Sequence, residues 1–296
     1  MIFIPNKLAW LCLVASFPFF LQAQSPVAEG AQLQKLGTNY GVLQSPVADP
    51  AGNVFFTDYN TKRIYKWTLN GKIVRVKGGF LGCKGLAFDR KGNLVLCETK
   101  GGRKLSLVNP KTGDSEALLR EFEGKRFNSP EDLWIHQNNG LYFTDGRHGD
   151  KVGLQMKGEY VFYMDPNRDS VVAVITDLAQ PSGIMGSVKQ KLLYVSDYEK
   201  GQTYVYKINA DGSLSNRRVF ADIGASGIAI DDKKNVYLAR DKVYVYNSRG
   251  KLIHTIAVPE KATHVAFGGA HQKTLFITAQ KSLYALEMKY RRQQYR

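Results

Sequence analysis

The stretch FNSPEDLWIHQNNGLYFTD, residues 127–145, reads as one β-hairpin with an unusual entrance. An apolar run leads into a polar turn that ends in Asn-Gly, and the alternating run Leu-Tyr-Phe-Thr follows and ends on Asp145. Asn-Gly between two such runs is a strong hairpin signal. Two adjacent acids, Glu131 and Asp132, stand behind Pro130 just before the first strand. They are candidates either for a catalytic or metal-binding pair or for a polar strand entry.

The hairpin pattern occurs six times, at residues 47–58, 86–98, 133–145, 184–197, 228–240 and 265–279. Successive copies start roughly 40 to 50 residues apart, the period of a propeller blade. A third strand follows each copy, and a fourth can be drawn in the first five blades. We expect residues 31–39 to close the ring by pairing with the last blade, because closure removes exposed sheet edges. The sequence therefore predicts an all-β fold, a six-bladed β-propeller in one domain spanning residues 24–296.

Residues 1–23 have the pattern of a secretory signal peptide, with one early charge, an apolar run and the sequence Leu-Gln-Ala before Gln24. Cleavage after Ala23 would release a secreted or periplasmic protein. A single uncleaved anchor helix is the alternative, although Pro18 interrupts the run and the run is short for a membrane span. After cleavage we expect no membrane-spanning segment.

The chain carries a formal net charge of +15, which favours anionic surfaces or substrates. Nucleic acid is a poor partner for an exported protein. Only the tail, residues 288–296, combines dense basic residues with aromatic ones, and we interpret it as a frayed terminus. The expected partner is therefore a small molecule.

Cys83 and Cys97 flank the hairpin at residues 86–96 and are predicted to lie on neighbouring strands. Export permits a disulfide between them, but its dihedral angle is demanding. Two small buried residues are the alternative.

A propeller of this kind has two rings of residues at one mouth of its central channel. The inner ring consists of the residues that precede the innermost strands: Gln44, Lys84, Glu131, Ser182, Ser226 and His264. The outer ring consists of the residues that end the second strands: Asp58, Glu98, Asp145, Asp197, Arg240 and Ala279. We expect the four outer acids to support the inner ring by accepting hydrogen bonds from turns. Direct contact of these acids with a ligand is the alternative.

The chain resembles the family of gluconolactonases and senescence marker protein (regucalcin). The resemblance is carried by residues 49–67, 85–98, 125–145 and 267–279, and it extends over nearly all of the chain after the signal. The family consists of six-bladed propellers that hold a calcium ion in the channel, where the ion polarises a lactone or ester carbonyl and an acid activates water. The resemblance therefore implies the propeller fold and a hydrolytic activity.

The family's metal ligands are a Glu, two Asn and an Asp, and all four differ in this sequence. The matching positions are Gln44, Glu131, Ser182 and Ser226, and an Asn often found in the second blade is Lys84. Calcium requires about six to eight oxygen ligands and draws most of its attraction from carboxylates. We therefore expect no calcium site of the family type and no cofactor.

Three functional hypotheses follow for this altered site. In the first, the protein is a hydrolase of a lactone or ester of a small, sugar-derived or anionic substrate. Lys84 stabilises the developing oxyanion, and Glu131 or His264 acts as the general base. Asp132, an acid that the family also has at this position, is a further candidate catalytic residue.

In the second hypothesis the propeller binds a ligand without chemistry. Lys84 pairs with Glu131, and the polar residues Gln44, Ser182 and Ser226 bind a small molecule. Basic residues near the mouth would favour an anion, and these are Lys84, Arg126, Arg147 and His148.

In the third hypothesis a transition metal replaces calcium, because such ions accept imidazole and carboxylate together. Glu131 and His264 would be ligands, with Asp132 or His148 as a further one. For His264 the default interpretation remains a hydrogen-bonded structural residue.

Overall fold

The computed structural model describes residues 25–99, 101–147 and 151–293. The predicted signal peptide, residues 1–23, lies outside these ranges. Every regular element in the described part of the chain is a β-strand. Accordingly, no helix there is long and apolar enough to cross a membrane.

Six four-stranded antiparallel sheets form the six blades, as predicted. The first strand, β1, is Gln34–Gly37 and belongs to the last blade. The strands of blade 1 are β2 (Leu43–Ala48), β3 (Val54–Asp58), β4 (Arg63–Trp67) and β5 (Ile73–Gly78). Those of blade 2 are β6 (Cys83–Phe88), β7 (Leu94–Glu98), β8 (Lys104–Val108) and β9 (Ser115–Leu119). A short hairpin follows, made of β10 (Glu121–Phe122) and β11 (Lys125–Arg126).

The remaining blades repeat the same order. The strands of blade 3 are β12 (Leu133–Ile135), β13 (Leu141–Asp145), β14 (Glu159–Met164) and β15 (Val171–Leu178). Those of blade 4 are β16 (Pro181–Ser187), β17 (Leu192–Asp197), β18 (Gln202–Ile208) and β19 (Leu214–Ala221). Those of blade 5 are β20 (Gly227–Ile230), β21 (Val236–Ala239), β22 (Val243–Tyr246) and β23 (Leu252–Ile256). Blade 6 contains β24 (Ala262–Gly268), β25 (Thr274–Ala279) and β26 (Ser282–Glu287).

The N-terminal strand closes the ring, as the sequence predicts. β1 lies at the outer edge of blade 6 and pairs antiparallel with β26, with Gln34 opposite Ala285. At the axis, the innermost strands of successive blades contact one another, and β24 contacts β2. The ring of blades is therefore closed in two places, by the contact of the innermost strands β24 and β2 and by the pairing of β1 with β26.

Turn chemistry explains why the first hairpins form where they do. In blade 1 the carboxylate of Asp49 accepts hydrogen bonds from the backbone N–H groups of Gly52 and Asn53, at 2.8 and 2.9 Å. Gly52 has a φ of 102°, a conformation that glycine adopts without strain. In the next hairpin the carboxylate of Asp89 accepts a hydrogen bond from the backbone N–H of Asn93, at 2.8 Å, and Gly92 has a φ of 83°. These turns set the register of the inner strands.

Adjacent blades interlock through large side chains packed between the sheets. Trp134 of blade 3 lies against Gly186 of blade 4, and a Cβ atom on that glycine would come within 2.2 Å of the indole ring. The same layer contains the buried residues Tyr142, Ile184 and Leu193. The hydrophobic core therefore consists of side chains packed between neighbouring blades. The channel runs along the axis, inside the innermost strands.

Cys83 and Cys97 are both buried and free, so the alternative of two small buried residues applies. Cys83 pairs across the strands with Glu98, the neighbour of Cys97. Successive residues of a strand point to opposite faces, so the two thiols point away from each other. The Cys83 thiol donates instead to the carbonyl of Asp58 in blade 1, at 3.4 Å.

Candidate functional site

The structure places all six inner-ring residues on one pocket at the channel mouth, with a volume of about 190 Å³. We call it the mouth pocket. Its lining consists of Val42, Gln44, Lys84, Glu131, Ser182, Tyr198, Ser226, Lys261, Ala262, Thr263, His264 and Gln280. Sequence reasoning missed the polar residues Tyr198, Lys261, Thr263 and Gln280. Tyr198 and Gln280 each directly follow an outer-ring residue, and Lys261 and Thr263 lie within three residues before His264. Including the residues on either side of each ring position would have found them.

The centre of the mouth pocket is an ion pair between two blades. The Lys84 ammonium of blade 2 binds the carboxylate of Glu131, which leads into blade 3. Both side chains are largely buried, with exposed fractions of 17% and 6%. The backbone joins the same two segments, because the N–H of Gly85 donates to the carbonyl of Glu131 at 2.9 Å. Among the described lining residues, Glu131 is the one carboxylate.

His264 lies beside this pair and carries an unused hydrogen-bonding capacity. Its side chain is buried, and neither ring nitrogen has a hydrogen-bond partner among the described residues. Burial and the nearby Lys84 ammonium lower the pKa of His264 to about 3, so the imidazole is neutral at physiological pH. A buried polar group without a partner is costly, which marks this position for a ligand or a solvent molecule.

Asp132 does not share the mouth pocket with Glu131. It lines a second, largely apolar cavity of about 150 Å³ further along the channel, which we call the channel cavity. Its two carboxylate oxygens accept hydrogen bonds from the N–H groups of Leu133 and Ile184, at 2.9 and 3.1 Å. Because Ile184 belongs to blade 4, Asp132 links two blades. Burial raises the pKa of its carboxyl group to about 7.

The four outer-ring acids hold the segments that lead into the inner strands. Asp145, for example, accepts the backbone N–H groups of Asn128 and Ser129 at 2.8 and 2.7 Å. Similar bonds join Asp58 to Gly41 and Val42, Glu98 to Leu81, and Asp197 to Ala179 and Gln180. None of the four acids lines the mouth pocket in the described part of the chain.

The predicted basic residues of the mouth are dispersed. Arg126 is exposed on the β10–β11 hairpin, where its guanidinium reaches the carbonyls of Gly101 and Gly102, and it does not line the mouth pocket. Arg147 does not line it either. His148 lies outside the described residues. Within residues 25–99, 101–147 and 151–293, no three His, Cys, Asp or Glu side chains lie close enough together to hold a metal ion.

Comparison with known proteins finds relatives that are named as lactonases. The chain is 25% identical over 229 residues to a gluconolactonase of Zymomonas mobilis, covering 70% of this chain and 64% of that protein's length. It is 26% identical over 249 residues to the lactonase drp35 of Staphylococcus saprophyticus, covering 62% of this chain and 74% of that protein.

Two solved structures share the fold. A gluconolactonase from Xanthomonas campestris superposes with a TM-score of 0.82 at 24% identity, covering 89% of this chain and 91% of that chain. Regucalcin, a calcium-binding protein from Agrobacterium tumefaciens, gives a TM-score of 0.72 at 20% identity, covering 90% of this chain and 98% of that chain. The model of the SMP-30/Gluconolactonase/LRE-like region matches residues 43–281, most of the chain. The protein therefore belongs to this family.

Proposed function

We propose that the protein hydrolyses a lactone or ester of a small, sugar-derived substrate in the mouth pocket. Family membership and the lactonase names of its relatives support the reaction class. The observation that carries the proposal is the Lys84–Glu131 ion pair, because it puts a positive charge for the developing oxyanion and a proton acceptor together in a buried pocket. Those are the two functions that carbonyl hydrolysis requires.

The donor set of the mouth pocket does not fit the calcium ion that the family resemblance implies. The positions that match the family's ligands are Gln44, Glu131, Ser182 and Ser226, which supply one carboxylate, and this carboxylate already binds Lys84. Two unit charges about 4 Å apart repel by roughly 4 kcal/mol at an effective dielectric constant near 20, and a divalent ion beside an ammonium repels it about twice as strongly. We therefore propose that the pocket works without calcium, with the Lys84 ammonium supplying the positive charge.

The chemistry follows from these two side chains. Glu131 takes a proton from a water molecule whose oxygen attacks the carbonyl carbon of the substrate. Negative charge develops on the carbonyl oxygen, and the Lys84 ammonium stabilises it. The bond from the carbonyl carbon to the ring oxygen then breaks, and Glu131 returns its proton to that oxygen, releasing the hydroxy acid.

His264 is the second candidate base, since both of its ring nitrogens lack partners among the described residues. Its lowered pKa of about 3 makes the imidazole a weak proton acceptor, whereas a base works best with a pKa near the operating pH. We assign the base to Glu131, the one carboxylate among the described lining residues, and a positioning role to His264, as a hydrogen-bond partner for water or substrate.

A panel of sugar lactones, assayed for acid release above the spontaneous rate after treatment with a chelator, tests this function. We expect turnover without added metal. Lys84→Met should lower kcat about 10²- to 10³-fold, as expected for the loss of an oxyanion donor. Glu131→Gln should lower it about 10²- to 10⁴-fold. The matched control is Lys111→Met, a change in an exposed turn of blade 2. Activity that is lost on chelation and restored by calcium would refute the metal-free site.

The second candidate function is ligand binding without turnover. It is favoured by the same ion pair, because Lys84 and Glu131 already neutralise each other. In that case a sugar acid or lactone should raise the melting temperature by binding the native state, with no acid released. Measuring both readouts on one sample separates the two functions.

We also propose that the protein is exported and cleaved after Ala23, on the pattern of residues 1–23. N-terminal sequencing of the protein purified from its native host should begin at Gln24. An intact N-terminus in the membrane fraction would support the uncleaved anchor instead.

A further inference from the structure

The outer ring reverses its charge in blade 5. The second strands of blades 1 to 4 end on an acid, whereas in blade 5 Arg240 directly follows the last residue of the second strand, Ala239. The acids accept backbone N–H groups, but Arg240 donates from its Nη1 atom to the carbonyl of Gly224, at 2.7 Å. A cation therefore takes the structural place that a carboxylate has in four other blades.

Arg240 stacks on Tyr198, a residue of the mouth pocket. The guanidinium carbon lies 4.4 Å from the centre of the Tyr198 ring. Lys261 approaches the same tyrosine from blade 6, with its ammonium 3.2 Å from the phenol oxygen and 5.9 Å from the ring centre. Tyr198 and Lys261 both line the mouth pocket. One aromatic ring thus has two cations beside it, and we call Tyr198, Arg240 and Lys261 the tyrosine–cation cluster.

Within the described ranges, neither Arg240 nor Lys261 makes an ion pair with an acid. The acids of the neighbouring segments are engaged elsewhere. Asp197 accepts backbone N–H groups, and Asp241 accepts the Tyr244 hydroxyl at 3.0 Å. Two like charges brought together without a counter-ion leave a positive potential at this side of the pocket.

The geometry points to a binding site for the carboxylate of an anionic, sugar-derived substrate at the tyrosine–cation cluster. Lys261, which lines the pocket, can form a charge-assisted hydrogen bond with a carboxylate, and Arg240, which is not among the lining residues, adds positive charge from its position on the Tyr198 ring. The pocket's other lining cation, Lys84, is already paired with Glu131. The substrate would then be held by its carboxylate on the blade 4 to 6 side, with its carbonyl toward Lys84 and Glu131 of blades 2 and 3. This assignment rests on the proposed function where it concerns the reacting carbonyl.

Two lactones that differ in one group test the assignment. D-Glucaro-1,4-lactone carries a carboxylate at the carbon where D-glucono-1,4-lactone carries a hydroxymethyl group. We expect kcat/KM to be roughly tenfold or more higher for the glucaro compound, because hydrogen bonds to a charged group are stronger than those to a neutral one. The difference should lie mainly in KM and should shrink at high salt.

Variants assign the preference to these residues. Lys261→Met and Arg240→Leu should each lower the glucaro-to-glucono ratio of kcat/KM about threefold and together abolish the preference, whereas Lys261→Arg should retain most of it. Lys111→Met removes the same charge from an exposed turn of blade 2 and should leave the ratio unchanged. A ratio that survives the Lys261→Met/Arg240→Leu double variant, in a protein that still melts cooperatively, overturns the assignment.

A binding experiment separates this inference from the proposed function. D-Glucuronate and D-glucose differ by the same carboxylate, and neither is a lactone, so calorimetric titration needs no turnover. Glucuronate should bind the wild type about tenfold more tightly than glucose, and the double variant should lose that preference. If no lactone is hydrolysed but this preference is found, the hydrolase function fails and the anion site stands. If glucuronate and glucose bind the wild type alike, the anion site fails regardless of catalysis.

Discussion

Lys84 and Glu131 form an ion pair across the boundary between blades 2 and 3, and each side chain is more than four-fifths buried. Removing one member of a fully buried pair costs about 3 to 5 kcal/mol, because the other charge is left without a partner. Some exposure of Lys84 to solvent reduces this cost. We expect Lys84→Met to lower the free energy of unfolding by about 2 kcal/mol, measured by urea denaturation.

The double variant Lys84→Met/Glu131→Met is the control for this ion pair. It leaves no unpaired charge, so it should regain most of the lost stability. If the double variant is less stable than the single one, the pair is not what determines stability at this position.

His264 should make the protein sensitive to acid. Its pKa is lowered from 6.5 to about 3 in the folded state, so the stability that it contributes is present above pH 6.5 and is lost as the pH falls toward 3. Relative to His264→Gln, the wild type should lose about 1.4 kcal/mol per pH unit below pH 6.5. Chemical denaturation between pH 8 and pH 5 measures this slope. His271→Gln, in an exposed turn, should keep the wild-type slope, and parallel curves for wild type and His264→Gln would contradict the prediction.

The contribution of Asp132 to stability should decrease as the pH rises, which is the opposite of the pH dependence expected for His264. Its pKa is raised from 3.8 to about 7, so its contribution is present below pH 3.8 and is lost as the pH rises through 7. Asp132→Asn removes the titration and one of two hydrogen-bond acceptors, which costs about 1 to 3 kcal/mol. The stability advantage of the wild type over Asp132→Asn should therefore shrink between pH 5 and pH 7. Asp114→Asn, at an exposed turn, serves as the control, and an advantage that grows with pH would reject the assignment.

Gly186→Ala should loosen the contact between blades 3 and 4. The added Cβ atom would lie 2.2 Å from the Trp134 ring, and overpacking of this kind costs about 1 to 3 kcal/mol. Gly78→Ala is the matched control, because its added Cβ atom meets its nearest neighbour at an ordinary 3.4 Å. A fall in melting temperature for Gly186→Ala alone is the expected result, and equal melting temperatures for the two variants would disprove the steric argument.

Most of the fold could be predicted from sequence because each blade repeats one local pattern. Alternating strands indicate where the blades lie, with Gly-Asn or Asn-Gly turns in the first three of them. The missing fourth strand of the last blade indicates the partner of β1. The β10–β11 hairpin was not predicted, since it lies between two repeats and has no counterpart among the described residues of the other blades.

The site could be predicted only in part. The ring positions follow from the blade pattern, and all six inner residues indeed meet at the mouth pocket. Glu131 and Asp132 are adjacent in sequence, but the chain directs their side chains to different cavities. Tyr198, Arg240 and Lys261 come together from three separate blades, a contact that depends on distances across the mouth and not on any spacing along the chain.

The pairing of β1 with β26 also orders the events of folding. Gln34 and Ala285 are at nearly opposite ends of the chain, so the strand synthesised first must wait for the strand synthesised last. Five blades can form from contiguous segments as they emerge, but the sixth cannot. Contacts between such distant residues form slowly, because the loop entropy is lost before the contact compensates for it. β1 has no partner until β26 is synthesised, and the outer edge of β26 then stays open until β1 pairs with it. During this interval the blade is exposed to pairing with another copy of the chain.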